Sequence, residues 1–437
     1  MNIIAIDCGA SFIKGALLED THILRTLSQR SPRVHCDEPI TQTIQIDSLI
    51  DNVKKLVEAL AADIEDFVLC VSNEMHGFIL ADHEGRALTD YISWQKEYGN
   101  IIVSNDTAMG ILERECADEI AHTGMPLRSG LPSSNLMYLK LAGVLDRLPT
   151  PVYLYPLGDF IIRALSGKNT GCHPTNAAAL GFYDLRTSKW NKKICDMAGG
   201  GKVCFPTIGS EIVEFRFKGH SVRALPAIGD QQAALLGSGF NRKDMVSYNL
   251  GTGAQVSVIT NDIKRSGNYQ IRPYFDGEYL KSIPHIPSGR AINVYIRFVA
   301  GVLKSFGCER NEEDIWNVLL KNASVNNVSR CKCDLSFFEN AVSDNTKGSI
   351  TDIPEYGVDM ESLMSTIITQ MAENSIQLAD SIIHPQNVKE VVFSGGIARR
   401  IPMLRDIIIG HYDKNIGFKV AENETIMGLA SYSIGCL

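Results

Sequence analysis

The residues best suited to chemistry lie in one stretch, Ala224 to Ile259, ALPAIGDQQAALLGSGFNRKDMVSYNLGTGAQVSVI. An acid, Asp230, follows Gly229 and leads into the small-residue segment QQAALLGSG. A strand-like run from Met245 to Leu250 then breaks at Gly251-Thr252-Gly253 and resumes from Gln255 to Ile259. Glycines at such a junction let backbone N–H groups approach an anion, because no Cβ stands in the way. An acid near a phosphate-cradling turn supplies what phosphoryl transfer to an alcohol needs, a base for the hydroxyl and donors for the phosphates. Taken alone, the stretch also reads as an ordinary hairpin with glycine at its turn.

The N-terminus repeats the pattern. NIIAID reads as a buried strand ending in Asp7, Gly9-Ala10-Ser11 form a turn, and Phe12 to Leu18 resumes the strand. Asp7 against Asn249 and Gly9 against Gly251 are each offset by 242 (249 − 7 and 251 − 9). Each turn carries a hydroxyl, Ser11 or Thr252. This spacing is far beyond solenoid periods, so it points to two similarly folded halves across a cleft.

Three further places could meet a ligand. The strand Phe67–Val71 ends at SNEMHG, with Met75 and His76 where α/β proteins put ligand contacts. Trp94-Gln95 offers a flat apolar wall beside an amide. Gly395-Gly396-Ile397 lies between a strand, Glu390 to Phe393, and a helix start, where a flat ring or a phosphate can rest on backbone. MAGGGKV at 197–203 superficially suggests a Walker loop. It fails, with Asp196 where the first glycine is required and Val203 where the hydroxyl should follow Lys202.

The elements that must position these residues alternate strand and helix. Ser48 is placed to cap a helix from Leu49 to Ala62. Helices are expected at 108–120, 135–145 and 157–165, polar turns at 82–86 and 184–190, and a hairpin around Asp276-Gly277. Residues 309–355 read as surface helix and loops. Met360 to Ile382 carries the longest apolar helical face, Arg399 to Ile409 a helix interrupted by Pro402, and Glu424 to Ile434 a small-residue helix able to pack closely.

The chain has 437 residues, 45% hydrophobic and 21% charged, enough for two domains with substantial cores. A net charge of −8 argues against nucleic-acid or anionic-membrane partners. The first residues lack a leader pattern, and no run of ~20 apolar residues is present to span a membrane. The 11 cysteines are scattered and complete no zinc site, so reduced thiols and a cytoplasmic location are expected.

In this order the motifs resemble the FGGY family of carbohydrate kinases, within the actin–hexokinase–chaperone superfamily of ATPases, over nearly the full length. IIAIDCGASFIKGALLE is similar to the first phosphate loop, SNEMHGFILAD to the sugar-contact segment of xylulokinases and sedoheptulokinases, and LPAIGDQQAALLGSG to the segment with the catalytic acid. LGDFIIRALSGKNTGCHPTNAAALGFYDLRTSKWN resembles the stretch leading to the family's small-residue motif and a Trp. NLGTGAQVSV resembles the second phosphate loop and VVFSGGIARRIPMLRDI the adenosine motif.

The resemblance implies an α/β fold of two actin-like (ribonuclease H-like) ATPase domains facing a central nucleotide and sugar cleft. The expected domains are 1–240, with the sugar site, and 241–437, with the second phosphate loop and the adenosine motif. It implies ATP and Mg²⁺ as cofactors, a small sugar as partner, and a second copy of the chain as a candidate partner. Asp230 would be the base, and Asp7 would orient Mg²⁺ through water. Gly9, Ser11, Lys14, Gly251, Thr252 and Gly253 would lie near phosphates, Gly395, Gly396 and Ile397 near adenosine, and Met75, His76 and Trp94 near sugar. The Trp94-Gln95 pair and PYFDGEYL lean toward a seven- or five-carbon ketose.

The chain departs from the family at three positions. Lys96 and Tyr98 stand where an Asp and an Arg are usual, and Glu74 stands where Gln is usual. Lys96 and Tyr98 motivate an alternative, a catalytically weak member that senses sugar or binds a partner. Retention of Asp230 opposes it. A chaperone-like or filament-forming ATPase is disfavoured by the sugar-contact segment.

Overall fold

The computed structural model describes residues 1–35 and 42–437. Its organisation rests on two sheets. In the first, β1 (Asn2–Cys8), β2 (Phe12–Glu19), β3 (His22–Arg30), β4 (Asp66–Asn73) and β5 (His220–Ala224) run in the order β3-β2-β1-β4-β5. β2 runs antiparallel to both its neighbours, β1 and β3, and β1, β4 and β5 are parallel. In the second, β6 (Met245–Leu250), β7 (Gly253–Thr260), β8 (Tyr279–Pro287), β9 (Glu390–Ser394) and β10 (Gly417–Val420) run β8-β7-β6-β9-β10 with the same directions. The repeat extends to register. Asp7 pairs with Ser72 on the parallel side, as Asn249 pairs with Ser394.

The central strands are apolar on both faces because helices cover both. Ile3 to Ile6 are all buried. One face meets the helix Ile46–Ala61 through Leu49, Val53, Leu56 and Leu60. The other meets two helices, Asp230–Gly237 and Glu424–Cys436. These two cross at touching distance. A Cβ on Gly237 would lie 1.8 Å from the Glu424 carbonyl oxygen, and one on Gly428 1.8 Å from that of Ala233. The close packing expected of the small-residue tail is therefore real, and the chain's last helix lies against its first sheet.

Several expectations need correction. The first helix begins at Ile46 with Gln45 at its cap position, and Ser48 lies inside it. Burial of Ile46 draws the helix back past the polar residue that was read as its start. The helix expected over 108–120 breaks at Cys116 into Ala108–Glu115 and Ala117–Ala121. The one expected over 135–145 starts at Pro132, a residue suited to the first helical turn, and ends at Leu141. Residues 309–355 are more than surface, because Trp316, Cys331, Cys333 and Leu335 are buried in the second core. The hairpin at Asp276-Gly277 holds, with both residues at positive φ, 56° and 74°. Among the described residues no cysteine is disulfide-bonded and no helix is long and apolar enough to cross a membrane.

Candidate active site

The C-terminal end of β1 delivers Asp7 and the Gly9–Ser11 turn, which closes with the Gly9 N–H donating to the Phe12 carbonyl at 3.1 Å. The Asp7 carboxylate accepts from the Ser72 hydroxyl at 2.9 Å, and Lys14 is its antiparallel partner. Burial pushes the Asp7 carboxyl up, and the Ser72 bond and the Lys14 charge draw it back.

Asp230 is the first residue of its helix and accepts from the Gln231 backbone N–H at 2.7 Å. Burial, reinforced by the charge of Asp7, pushes its carboxyl up to about 7. Glu74 acts in the same direction, while the Gln231 N–H and Arg272 oppose it. Asp230 therefore senses the charges of both Asp7 and Glu74.

The sugar-contact segment is fixed from several sides. Asn176 donates to Asn73 and to the Ala227 carbonyl, both at 3.0 Å, which ties the NAAA stretch to the strand end. Glu74 is buried and paired to Arg33, whose Nη2 lies 2.5 and 2.6 Å from its two oxygens. A Cβ on Gly229 would stand 2.5 Å from the Met75 sulfur, so the acid-bearing segment and Met75 touch.

His76, at φ 65°, has both ring nitrogens engaged. Nδ1 lies 2.9 Å from the Ala179 carbonyl and Nε2 2.6 Å from Nη2 of Arg272. A carbonyl can only accept and a guanidinium can only donate, so the ring is neutral with its proton on Nδ1. Burial and the Arg272 charge hold its pKa well below the usual value. Arg272 is 3% exposed and comes from the strand Gln270–Pro273 at the edge of the second sheet. Its other described partners are Gln270 and the sulfurs of Met75 and Met125, and burial lowers its pKa to about 10. The halves thus meet at this segment, joined also by Gln231 to Ser282 and by the Ile271 N–H to the Gly124 carbonyl at 2.7 Å.

In the second half the turn at Gly251–Gly253 is bound by backbone. Gly289 and Arg290, opening the helix Gly289–Ser305, donate to the carbonyls of Gly251 and Thr252 at 3.1 and 2.8 Å. Gly395, at φ 90°, lies so close that a Cβ would come within 2.4 Å of the Leu250 carbonyl oxygen. A Cβ on Gly396 would meet open space. Ile397 packs toward Gly289, so residues 251–253, 289 and 395–397 form one surface.

The residues singled out from sequence fall into two groups, the acids with Met75 and His76, and the second turn with Gly395–Ile397. No hydrogen bond given for the described residues joins Gly9, Ser11 or Lys14 to Gly251–Gly253. Trp94 is 47% exposed; its carbonyl abuts Gly130, and its neighbour Gln95 accepts from Arg33. Lys96 is buried, and Tyr98 packs its ring against Tyr138. Arg33, Arg272 and Ser72 were missed. A charge inside the apolar run around Arg272 was the one available signal. The described residues contain no group of three or more His, Cys, Asp or Glu arranged to hold a metal.

Comparison with known proteins agrees with this architecture. Residues 2–237 match the model of the FGGY family of carbohydrate kinases, N-terminal domain. The glycerol kinase of Coxiella burnetii (strain Dugway 5J108-111) is 26% identical over 222 residues, which cover 48% of this chain and 43% of that enzyme. The chain thus matches less than half the length of that relative. Among solved structures, the ligand-bound xylulose kinase from Lactobacillus acidophilus superposes with a TM-score of 0.81 at 17% identity, covering 100% of this chain and 90% of that one. The Plasmodium falciparum glycerol kinase with ADP gives 0.78 at 14%, with the same coverages. At such identities the superpositions establish the two-domain actin-like ATPase fold. With the family model matched over more than half of its residues, the chain belongs to the FGGY family of carbohydrate kinases.

Proposed function

We propose that this protein transfers the γ-phosphoryl group of ATP to a hydroxyl of a small sugar, with a five- or seven-carbon ketose as the first candidate. The observation that carries the reading is the place of Asp230, first residue of its helix, directly after Gly229, which pairs with Asn73 and abuts Met75; burial and the charge of Asp7 raise its carboxyl to about 7. A base tuned near neutrality is ionised often enough to accept a proton and basic enough to do so usefully. Asp230 would align the attacking hydroxyl and take its proton as the bond to phosphorus forms and the bond to the ADP oxygen breaks.

Met75, His76 and Trp94 would wall the sugar. His76 would do so as a ring held in place by Ala179 and Arg272 rather than as a free donor. The turns at Gly9–Ser11 and Gly251–Gly253, with Lys14, would neighbour the phosphates. Gly396, with open space before it, would face adenosine together with Gly395 and Ile397. Mg²⁺ fits Asp7 better than a protein cage would. It commonly keeps its waters and uses one or two carboxylates plus phosphates, and Asp7 has one carboxylate oxygen committed to Ser72. When bound, the ion would neutralise charge on the phosphates. The proposed units are residues 1–240 and 241–437, the last helix of the second, Glu424–Cys436, packing on the sheet of the first.

The test is a coupled ADP-release screen of the purified protein against ketoses, aldoses and polyols. Sugar-stimulated release at millimolar sugar is the expected result, and its absence for every compound would favour a protein that binds sugar without turning it over.

A further inference from the structure

Arg33 was unremarked in the sequence, yet its guanidinium reaches three segments that each carry a candidate ligand contact. Nε donates to the carbonyl of Ala10, in the middle of the Gly9–Ser11 turn. Nη1 donates to Gln95, the neighbour of Trp94, at 3.3 Å. Nη2 donates to both oxygens of Glu74, the neighbour of Met75. The two charged side chains are 10% and 7% exposed, so the pair is desolvated. The backbone reinforces the arrangement, with the Glu74 N–H on the Cys8 carbonyl at 3.0 Å and the Ser31 N–H on the Ser11 carbonyl at 3.0 Å.

We infer that Arg33 is a positioning residue that holds the first glycine turn, the sugar-contact segment and the Trp94-Gln95 pair in one frame, and that its presence is what admits a carboxylate at position 74. The inference rests on the sugar-kinase reading and deepens it. A guanidinium is planar, permanently charged and able to donate along several fixed directions at once, which a lysine cannot reproduce. A buried carboxylate whose partner is removed keeps its desolvation cost without compensation. Glu74 is therefore one half of a unit whose other half lies 41 residues earlier. A neutral amide at 74 would need no cation. The charged pair trades that independence for a geometry in which the phosphate side and the sugar side share one anchor.

The experiment compares the wild type with Arg33→Lys, Arg33→Met and the double variant Arg33→Met/Glu74→Gln, each by melting temperature and by kcat and KM for sugar. Arg33→Met should lower the melting temperature and raise the sugar KM at least ~10-fold with a fall in kcat, because misplacement of about 1 Å can cost ~100-fold. The double variant removes the orphaned charge, so it should regain most of the melting temperature while keeping the raised KM. Arg33→Lys should fall between. If Arg33→Met does not fold, the double and Lys variants carry the comparison. A double variant with wild-type melting temperature and wild-type sugar KM would overturn the inference, leaving the pair a structural ion pair only. Failure of the kinase reading shows separately, in a wild type without sugar-stimulated ADP release. In a wild type that binds sugar without turnover, the comparison is made on the sugar-induced shift in melting temperature, and loss of that shift in the double variant supports the inference. A wild type that neither turns over nor is stabilised by any sugar overturns both.

Discussion

The turn at Gly9–Ser11 is tied down by a side chain in addition to backbone, the Arg33 guanidinium on the Ala10 carbonyl beside the Ser31 N–H on the Ser11 carbonyl, whereas the hydrogen bonds described at Gly251–Gly253 come from backbone, that of Gly289 and Arg290 among them. Both follow the first strand of the same five-strand arrangement. The first is surrounded by the acids Asp7, Glu74 and Asp230. The second is surrounded by glycines and carbonyls. Side-chain anchoring suits a site where charge must be placed against a reacting hydroxyl. Backbone anchoring suits a surface that a ligand must approach closely. A duplicated framework has thus been specialised by which atoms fix its turns, and the difference can be attacked from each side.

The largest effect is expected on the charged side. Asp230→Asn preserves size and loses the base, so turnover should fall at least ~100-fold while ATP still binds. The wild-type rate should rise with pH through about 7 as Asp230 ionises. The stability sign runs the other way. With a folded value of about 7 against an ordinary 3.8, the native state holds the proton more tightly than the unfolded chain. Stability is therefore lost as pH rises from about 4 to 7, and above that the ionised group burdens the fold. At pH 8 the Asn variant should melt no lower than the wild type. Wild-type turnover by the Asn protein would end the assignment of the base.

On the backbone side the counterpart is Gly395→Ala. The position holds φ 90°, and a Cβ would collide with the Leu250 carbonyl oxygen at 2.4 Å. Backbone strain of this kind costs ~1–3 kcal/mol, so the variant should unfold at clearly lower denaturant concentration. Unchanged stability would mean the loop relaxes freely and is not the rigid surface described above.

His76, in the first group, is bonded across to the second half through Arg272. Replacing it by Ala removes the acceptor from Arg272, which is buried without a carboxylate within bonding distance among its described partners. An orphaned buried donor costs ~1–3 kcal/mol, which should appear in chemical denaturation. A raised sugar KM with full stability would instead place His76 in direct contact with the sugar.

The sequence disclosed what is local or periodic. The 242-residue offset, the apolar runs of β1 and β6, and the positive-φ turn at Asp276-Gly277 all have signatures a few residues long. Arg33–Glu74 and His76–Arg272 do not, because their partners lie 41 and 196 residues apart and nothing near either one announces the other. The segment 309–355 was misread for a related reason. Its Asn, Ser and Asp content dominates any window, while the few residues that bury themselves, Trp316, Cys331 and Leu335, are too far apart to form a pattern. At Ser48 the local capping preference lost to the burial of Ile46.

The smallest predicted effect is the most selective one. Gly396 sits beside Gly395 in sequence, yet a Cβ there meets nothing within 4 Å, so the fold gives no reason for glycine. If the open space is where adenosine lies, valine should intrude on the ligand and on nothing else. Mild overpacking costs ~1 kcal/mol at the low end, or about fivefold in an equilibrium constant. Gly396→Val should therefore raise the KM for ATP about fivefold, with sugar KM and melting temperature held at wild-type values. Its neighbour Gly395→Ala, carrying a smaller side chain, should show the reverse pattern of lost stability. Equal increases in both Michaelis constants would mean that valine disturbs the surface formed with Gly251–Gly253 as a whole. An unchanged ATP KM would remove adenosine from this wall and leave the open space beside Gly396 without a nucleotide role.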